Sequence, residues 1–192
     1  VANHCHYVDP AAFLLALEQP ARYMASKLVF VGAGGLIGGL ISRAGAFSVD
    51  TRPGRGSGAL RAAVKLLCAG HSVVIFPEGD ANMDCKTGTF HNGAVAIARE
   101  ATKRSEQPIP IVPVMFEYGG KPGSWIRRFH FALQFLIAFL SFPLWRRGLR
   151  VTAGAPFYAS TLSPEIKIAS QELRNRVLSL QTTANNEVTP AS

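Results

Sequence analysis

Ser72-Val-Val-Ile-Phe-Pro-Glu-Gly-Asp-Ala-Asn82 is a buried strand running into a turn. Val73, Val74, Ile75 and Phe76 form an unbroken apolar run of β-branched and aromatic residues, the composition of a strand covered on both faces. Pro77 has no N–H to give a ladder and ends the strand, and Gly79 permits a tight turn. Glu78 is thereby presented at the carboxyl end of a strand, where α/β proteins place groups that meet ligands. A lone Pro-Glu-Gly would equally fit an ordinary connection with a solvated glutamate, so the rest of the chain has to decide between the two.

Outward from this stretch, helix and strand alternate. Upstream lie an apolar helix at 10–19, a short strand at 22–27 and an apolar, glycine-rich run at 28–45. A strand at 46–50 and a helix at 57–69 follow, the helix carrying Arg61 and Lys65 on its wetter side. Downstream come a helix at 93–103, a buried strand at 109–116, a strand at 149–153 and a closing helix at 163–180. Such alternation predicts an α/β fold: a mixed, largely parallel central sheet flanked by helices. Residues 1–180 form one domain, and the polar stretch 181–192 is expected to be a disordered tail.

The chain opens with Val1-Ala-Asn-His-Cys-His-Tyr-Val-Asp-Pro10. Residues five apart on a continuous helix are turned by about 500°, so a helical His4 and Asp9 would point about 140° apart. Pro10 excludes that arrangement. It pushes Asp9 out of the α region and suits the first turn of a helix. Asp9 is expected to be the N-cap, with His4 on the loop leading in and its ring folded back to the carboxylate. A histidine that an aspartate orients is a general base. Taken alone, H-x4-D is as readily a capping aspartate beside a surface histidine.

Composition narrows the partners. Of 192 residues 48% are hydrophobic and only 17% charged, and the net charge is +8. A basic balance attracts nucleic acid, anionic membrane or phosphorylated substrates. No zinc spacing, aromatic-studded basic strand or basic heptad helix marks a nucleic-acid module, so an anionic phospholipid membrane surface fits the apolar composition better. Cys5, Cys68 and Cys85 are few and widely spaced, which points to a reducing compartment, with Cys68 a small core residue. The chain begins inside its first motif, with no starting methionine and no secretory leader. It is read as trimmed upstream, with a strand or membrane anchor preceding it.

Rival readings attach to particular stretches. Ser26 to Gly38 resembles a dinucleotide fingerprint of strand, glycine turn at 32–38 and helix, with Asp50 where a ribose-binding acid would lie. That would make the protein an NAD(P)-dependent oxidoreductase. Its glycines, however, are spaced G-x-G-x-x-x-G, and it leaves the other motifs unexplained. His4-Cys-His6 offers two metal ligands where a site needs more. Residues 129–145 are the most apolar stretch, with Arg127 and Arg128 before it and Arg146 and Arg147 after it. It is shorter than the ~20 residues of a spanning helix and Pro143 interrupts it. It is either a core helix or an interfacial helix with its arginines on lipid phosphates; a non-catalytic membrane-binding protein is a third class of reading.

Two further blocks complete the pattern. Gly45-Ala-Phe-Ser-Val-Asp-Thr-Arg52 sets an arginine just past a strand, and a guanidinium fork suits a phosphate; Arg55 in the following loop could serve instead. Ile109-Pro-Ile-Val-Pro113 opens a strand that is mostly core. Taken in order, Asn3-His-x4-Asp-Pro10, the Arg52 block, Phe76-Pro-Glu-Gly79 and Ile109–Pro113 resemble the four successive blocks of the glycerolipid (lysophospholipid) acyltransferase superfamily, in particular 1-acyl-glycerol-3-phosphate acyltransferases. The resemblance implies a glycerol-3-phosphate acyltransferase-like fold. It implies that His4 takes the proton from an acceptor hydroxyl while Asp9 holds the imidazole, and that the hydroxyl attacks an acyl-CoA or acyl-carrier-protein thioester. By the same likeness Arg52, Glu78 and Gly79 hold the glycerol-phosphate part of a lysophospholipid. No cofactor or metal is implied beyond the thioester co-substrate, and the work is done at the cytoplasmic face of a membrane. The chain departs from the family's pattern at Asp80-Ala81, where a threonine or serine and then an arginine are usual. Either the acceptor is less phosphorylated or its phosphate is held elsewhere.

Overall fold

In the computed structural model, the described residues are 1–16, 20–27, 30, 36–43, 45–49, 57–82, 84–119, 129, 133, 137, 140, 141, 143 and 148–186. In chain order the elements are α1 (Asp9–Ala16), β1 (Ala21–Ser26), α2 (Leu36–Arg43), β2 (Ala46–Val49), α3 (Ser57–Cys68), β3 (Ser72–Val74) and α4 (Gly93–Ser105). They continue with β4 (Pro110–Ile111), β5 (Val114–Tyr118), β6 (Leu149–Ala153), β7 (Phe157–Tyr158), a 3-10 turn (Ala159–Thr161) and α5 (Ile166–Asn186).

β1 is central to a parallel sheet. It pairs with β2 from Tyr23↔Ala46 to Ser26↔Val49, and with β3 from Ala21↔Ser72 to Tyr23↔Val74. Parallel neighbours require crossovers, which α2 and α3 accompany. β5 pairs antiparallel with β6 from Val114↔Ala153 to Tyr118↔Leu149. The opening residues tie the two sheets together. The Ala2 N–H donates to the Ile75 carbonyl at 3.1 Å, the Val114 N–H donates to the Val1 carbonyl at 2.8 Å, and Ala2 bridges Val114 in parallel sense. The arrangement is the expected mixed, largely parallel sheet with helices.

Two apolar clusters sit on this framework. One gathers Ala63 and Val64 of α3, Val95, Ile97 and Ala101 of α4, Leu173 and Val177 of α5, and Met115. The other gathers Ala2, Cys5, Phe13, Tyr23, Val74, Val114 and Phe116. Successive β5 side chains thus alternate between clusters, as the pleat demands. The first cluster anchors the scaffold; the second lies under the opening loop. Asn3 fastens that loop to β5. Fully buried, its side chain accepts the Phe116 N–H at 2.7 Å and donates to the Phe116 carbonyl at 3.0 Å. Asn3→Ala leaves the Phe116 N–H unpaired in the core and its carbonyl with only the Cys5 thiol at 3.6 Å, and is expected to cost about 1–3 kcal/mol. Chemical denaturation checks this; a loss below about 0.5 kcal/mol would show that the clamp contributes little to stability.

Several elements differ from the sequence reading. The expected strand at 109–116 is two strands, β4 and β5, broken at Val112–Pro113, because Pro113 has no N–H for the ladder. β7, only two residues long, pairs with β4 and had no pattern to reveal it. The closing helix continues through 181–186, residues assigned to a tail; no glycine or proline between Gln181 and Asn186 stops it. Residues 187–192 lie outside the described residues. Cys68, read as core, is exposed, because α3 ends there as the chain turns away from the cluster around Ala63 and Val64.

Candidate active site

Asp9 is the hub of the opening loop. Its carboxylate is fully buried, a costly position for a charge unless it is paired and hydrogen-bonded. Its Oδ2 accepts the Cys5 N–H at 2.7 Å and the His6 N–H at 2.8 Å, and lies 3.0 Å from His4 Nδ1. Its Oδ1 accepts the Tyr118 hydroxyl. The expectation that Asp9 is the N-cap is corrected. The helix assignment begins at Asp9, the Val8 carbonyl takes the Ala12 N–H at 2.9 Å, and the Asp9 carboxylate turns back toward residues before the helix. Those upstream donors satisfy it more fully than the helix amides would.

His4 folds back to Asp9 as its spacing predicts. A carboxylate only accepts, so the proton of the neutral ring sits on Nδ1 and the Nε2 lone pair is left for other work. The ring stacks on Phe76, centroids 4.4 Å apart, and Phe76 in turn meets Phe116 at 6.3 Å. With 14% of the His4 side chain exposed and none of Asp9, the pair has one face to solvent and one in the core.

The turn after β3 holds the His4 backbone. The Gly79 N–H donates to the Phe76 carbonyl at 3.2 Å, and Gly79 has φ +79°, which glycine tolerates without strain. Glu78 Oε1 accepts the His4 N–H and its Oε2 accepts the Gly88 N–H, both at 2.8 Å. The Asn82 N–H reaches the His4 carbonyl at 2.7 Å. Arg174 of α5 holds the same loop, donating to the carbonyls of Gly88 at 2.6 Å and Thr87 at 2.8 Å. His4 is therefore gripped by its backbone as well as by its ring.

Burial pushes the Glu78 carboxyl above the usual carboxylate range, against the lowering influence of the Gly88 and His4 N–H groups, His4 and Arg174. A carboxyl raised on folding binds more protons folded than unfolded, so its contribution to stability is greatest below its unfolded value. That contribution is lost as pH rises through the folded value. The expected result is a stability that declines from about pH 4.5 upward by a component missing in Glu78→Gln. Urea denaturation of both proteins across this range checks it; identical slopes would remove Glu78 as the source.

His6 is buried; its Nδ1 accepts the Val8 N–H at 3.3 Å, and burial holds its imidazole below the ordinary value. Its Nε2 has no hydrogen-bond partner among the described residues. No group of three or more His, Cys, Asp or Glu that could hold a metal occurs among the described residues. Arg52, Arg55 and Asp50 lie outside the described residues, as does most of the glycine turn at 32–38. Gly38 itself is buried, and an added methyl would overlap the Phe30 carbonyl. That close approach gives this glycine a packing reason. Of the apolar stretch 129–145, Phe129, Leu133 and Leu140 are exposed, Leu140 by 69%, and most of the remainder lies outside the described residues. No helix among the described residues is long and apolar enough to cross a membrane.

The structure thus brings His4, Asp9, Glu78 and Gly79 into one neighbourhood. Tyr118 and Arg174 belong to it without having been legible as such, and Asn3, legible only as part of a motif, anchors it. Tyr118 lies 109 residues from Asp9, beyond any local pattern.

The α/β architecture agrees with what similarity finds. The Acyltransferase family model matches residues 1–117, more than half of the chain, and the chain belongs to that family. It is similar to the chloroplastic 1-acyl-sn-glycerol-3-phosphate acyltransferase of Brassica napus, 30% identical over 122 residues, which is 63% of this chain and 33% of that protein. The chain thus spans about a third of the length of that curated relative. In fold it is similar to the crystal structure of the 1-acyl-sn-glycerophosphate (LPA) acyltransferase PlsC from Thermotoga maritima. The TM-score is 0.59 at 18% identity, covering 100% of this chain and 66% of that one. Family membership sets aside the dinucleotide-binding reading.

Proposed function

We propose that the chain is the catalytic part of an O-acyltransferase that moves a fatty acyl group from a thioester to the hydroxyl of a lysophospholipid. The observation that carries this is the His4–Asp9 pair: Nδ1 at 3.0 Å from a fully buried carboxylate, with the ring partly open to solvent. A hydroxyl is a poor nucleophile until a base takes its proton. His4 Nε2 removes that proton as the oxygen attacks the thioester carbonyl carbon. Asp9 stabilises the imidazolium that forms. The tetrahedral intermediate collapses, the C–S bond breaks, and the imidazolium returns the proton to the departing thiolate. The free product is an ester and a thiol, with charge and atoms conserved.

The donor is acyl-CoA or acyl-carrier protein, and no other cofactor enters these steps. Lysophosphatidic acid is the leading acceptor, by the names of the relatives. Arg52 binds the acceptor phosphate in this reading. Gly79 lines the acceptor side, where its missing side chain leaves the His91 ring close by, an added Cβ falling 3.4 Å from it. Glu78 holds the His4 and Gly88 N–H groups and, with a lone pair to spare on each oxygen, helps hold the glycerol part of the acceptor. The protein works on a phospholipid surface at the cytoplasmic face of a membrane. The exposed Phe129, Leu133 and Leu140 support the lipid surface, as do the arginine pairs bracketing that stretch and the net charge of +8.

The test is acyl transfer from radiolabelled palmitoyl-CoA and palmitoyl-acyl-carrier protein to lysophosphatidic acid, other lysophospholipids and glycerol-3-phosphate, using the full-length protein. Ester formed with a lysophospholipid supports the reading and names the acceptor. Ester formed only with glycerol-3-phosphate moves the acceptor to an unacylated glycerol phosphate. Failure with every pair, alongside intact liposome binding, would favour the membrane-binding protein without catalysis.

A further inference from the structure

β5 supports both members of the pair. Phe116 backs Phe76, on which the His4 ring stacks. Two residues along, on the same face of the strand, Tyr118 donates its hydroxyl to Asp9 Oδ1. Asn3 fixes the strand's height against the loop by pairing with both backbone groups of Phe116. The Asp9 oxygens are thus divided: His4 and two backbone N–H groups on Oδ2, and Tyr118 on Oδ1.

We infer that Tyr118 is a positioning residue for the His4–Asp9 pair, acting through Asp9 to fix the carboxylate's rotation and to set how strongly it attracts the charged imidazole. This rests on the reading of His4 as the base. The hydroxyl of Tyr118 takes a share of the carboxylate's charge, as donors to an ionised acceptor do. Without it that share falls on His4, and the imidazolium is held more tightly. The other titratable groups facing the pair are Cys5 and His6 on the opening loop, and Glu78 and Cys85 after β3. None of them bonds Oδ1 among the described residues. Burial and the Asp9 charge both hold the Tyr118 hydroxyl protonated, well above the ordinary phenol range, so it remains a donor wherever the enzyme works.

Tyr118→Phe keeps the ring and its tilted contact with His6 and removes only the donor. The full-length protein is assayed across pH with palmitoyl-CoA and the best acceptor, and the His4 ring is followed by NMR with labelled histidine, its resonance assigned by its absence in His4→Gln. In Tyr118→Phe the His4 midpoint and the acid limb of kcat/KM are expected to move up by about one pH unit. Activity then falls about tenfold on the acid side and under about threefold on the alkaline plateau, with KM unchanged. Should the phenylalanine variant not fold, 3-fluorotyrosine at position 118, a stronger donor, moves the same midpoint down. A purely structural Tyr118 predicts an equal loss at every pH with the midpoint unmoved, and that result overturns the inference. Full activity in His4→Gln overturns the base reading instead, and the NMR midpoint still reports separately on Tyr118.

Discussion

Asp9→Ala is expected to lower acyl transfer by on the order of a thousandfold and to destabilise the fold as well. The two effects have separate causes. The buried carboxylate carries the Cys5 and His6 N–H groups, His4 Nδ1 and the Tyr118 hydroxyl. An alanine methyl accepts none of them. Each buried donor left unpaired costs about 1–3 kcal/mol, so a total near 3–5 kcal/mol is expected after some rearrangement. The catalytic loss follows from the imidazole, which loses both the partner that fixes its tautomer and the charge that stabilises its protonated form. Removing the aspartate from a Ser-His-Asp triad costs on the order of 10⁴, and the same logic applies to a hydroxyl held by the substrate. Asp9→Asn separates the causes, keeping a side chain of the same shape that still accepts N–H bonds through its oxygen. It should recover much of the stability and little of the activity. Thermal melts and transfer assays on the two variants check this; wild-type activity in either contradicts the role given to Asp9.

The stability half of that prediction has a wider consequence. The same hydrogen bonds that tune His4 also hold the opening loop against β5, so the site and the fold share their supports. Asn3 shows the same economy from the other side, pairing with Phe116 while its neighbour His4 is the proposed base. Substitutions here will therefore rarely be silent in stability. Activity losses need to be read beside a melt.

The sequence was most legible where the controlling interactions are local. The helix begins only at Asp9, so His4 lies on the loop before it and turns back to Asp9 as expected, a contact spanning five residues, although Pro10 does not keep Asp9 itself out of the helix. β6 has the expected bounds at Leu149–Ala153, because its alternating Leu149, Val151 and Ala153 are bracketed by Gly148 and Gly154. The strand at 109–116 was misjudged because composition outweighed Pro113, whose missing N–H breaks the run. For Glu78 only its own turn is legible. Its direction is decided by the opening loop, 74 residues away in sequence, which brings the His4 N–H to it. Tyr118 could not be found by spacing, since a tyrosine at the end of an apolar strand is ordinary until the loop with Asp9 docks beside it.

The central claim is that His4 Nε2 takes the proton from the acceptor hydroxyl. His4→Ala should keep the fold at some cost in stability: its N–H to Glu78 and its carbonyl from Asn82 are backbone contacts that alanine retains, while the ring's bond to Asp9 and its stack on Phe76 are lost. What alanine removes is the base, and a positioned base is worth about 10²–10⁴ in rate. The most direct measurement is single-turnover transfer of the acyl group from the thioester to the acceptor identified by the substrate panel, by native protein and His4→Ala at equal folded concentration. The account predicts a fall of at least about a hundredfold in the chemical step, with acceptor binding little changed. Transfer at the native rate by the alanine variant would contradict it.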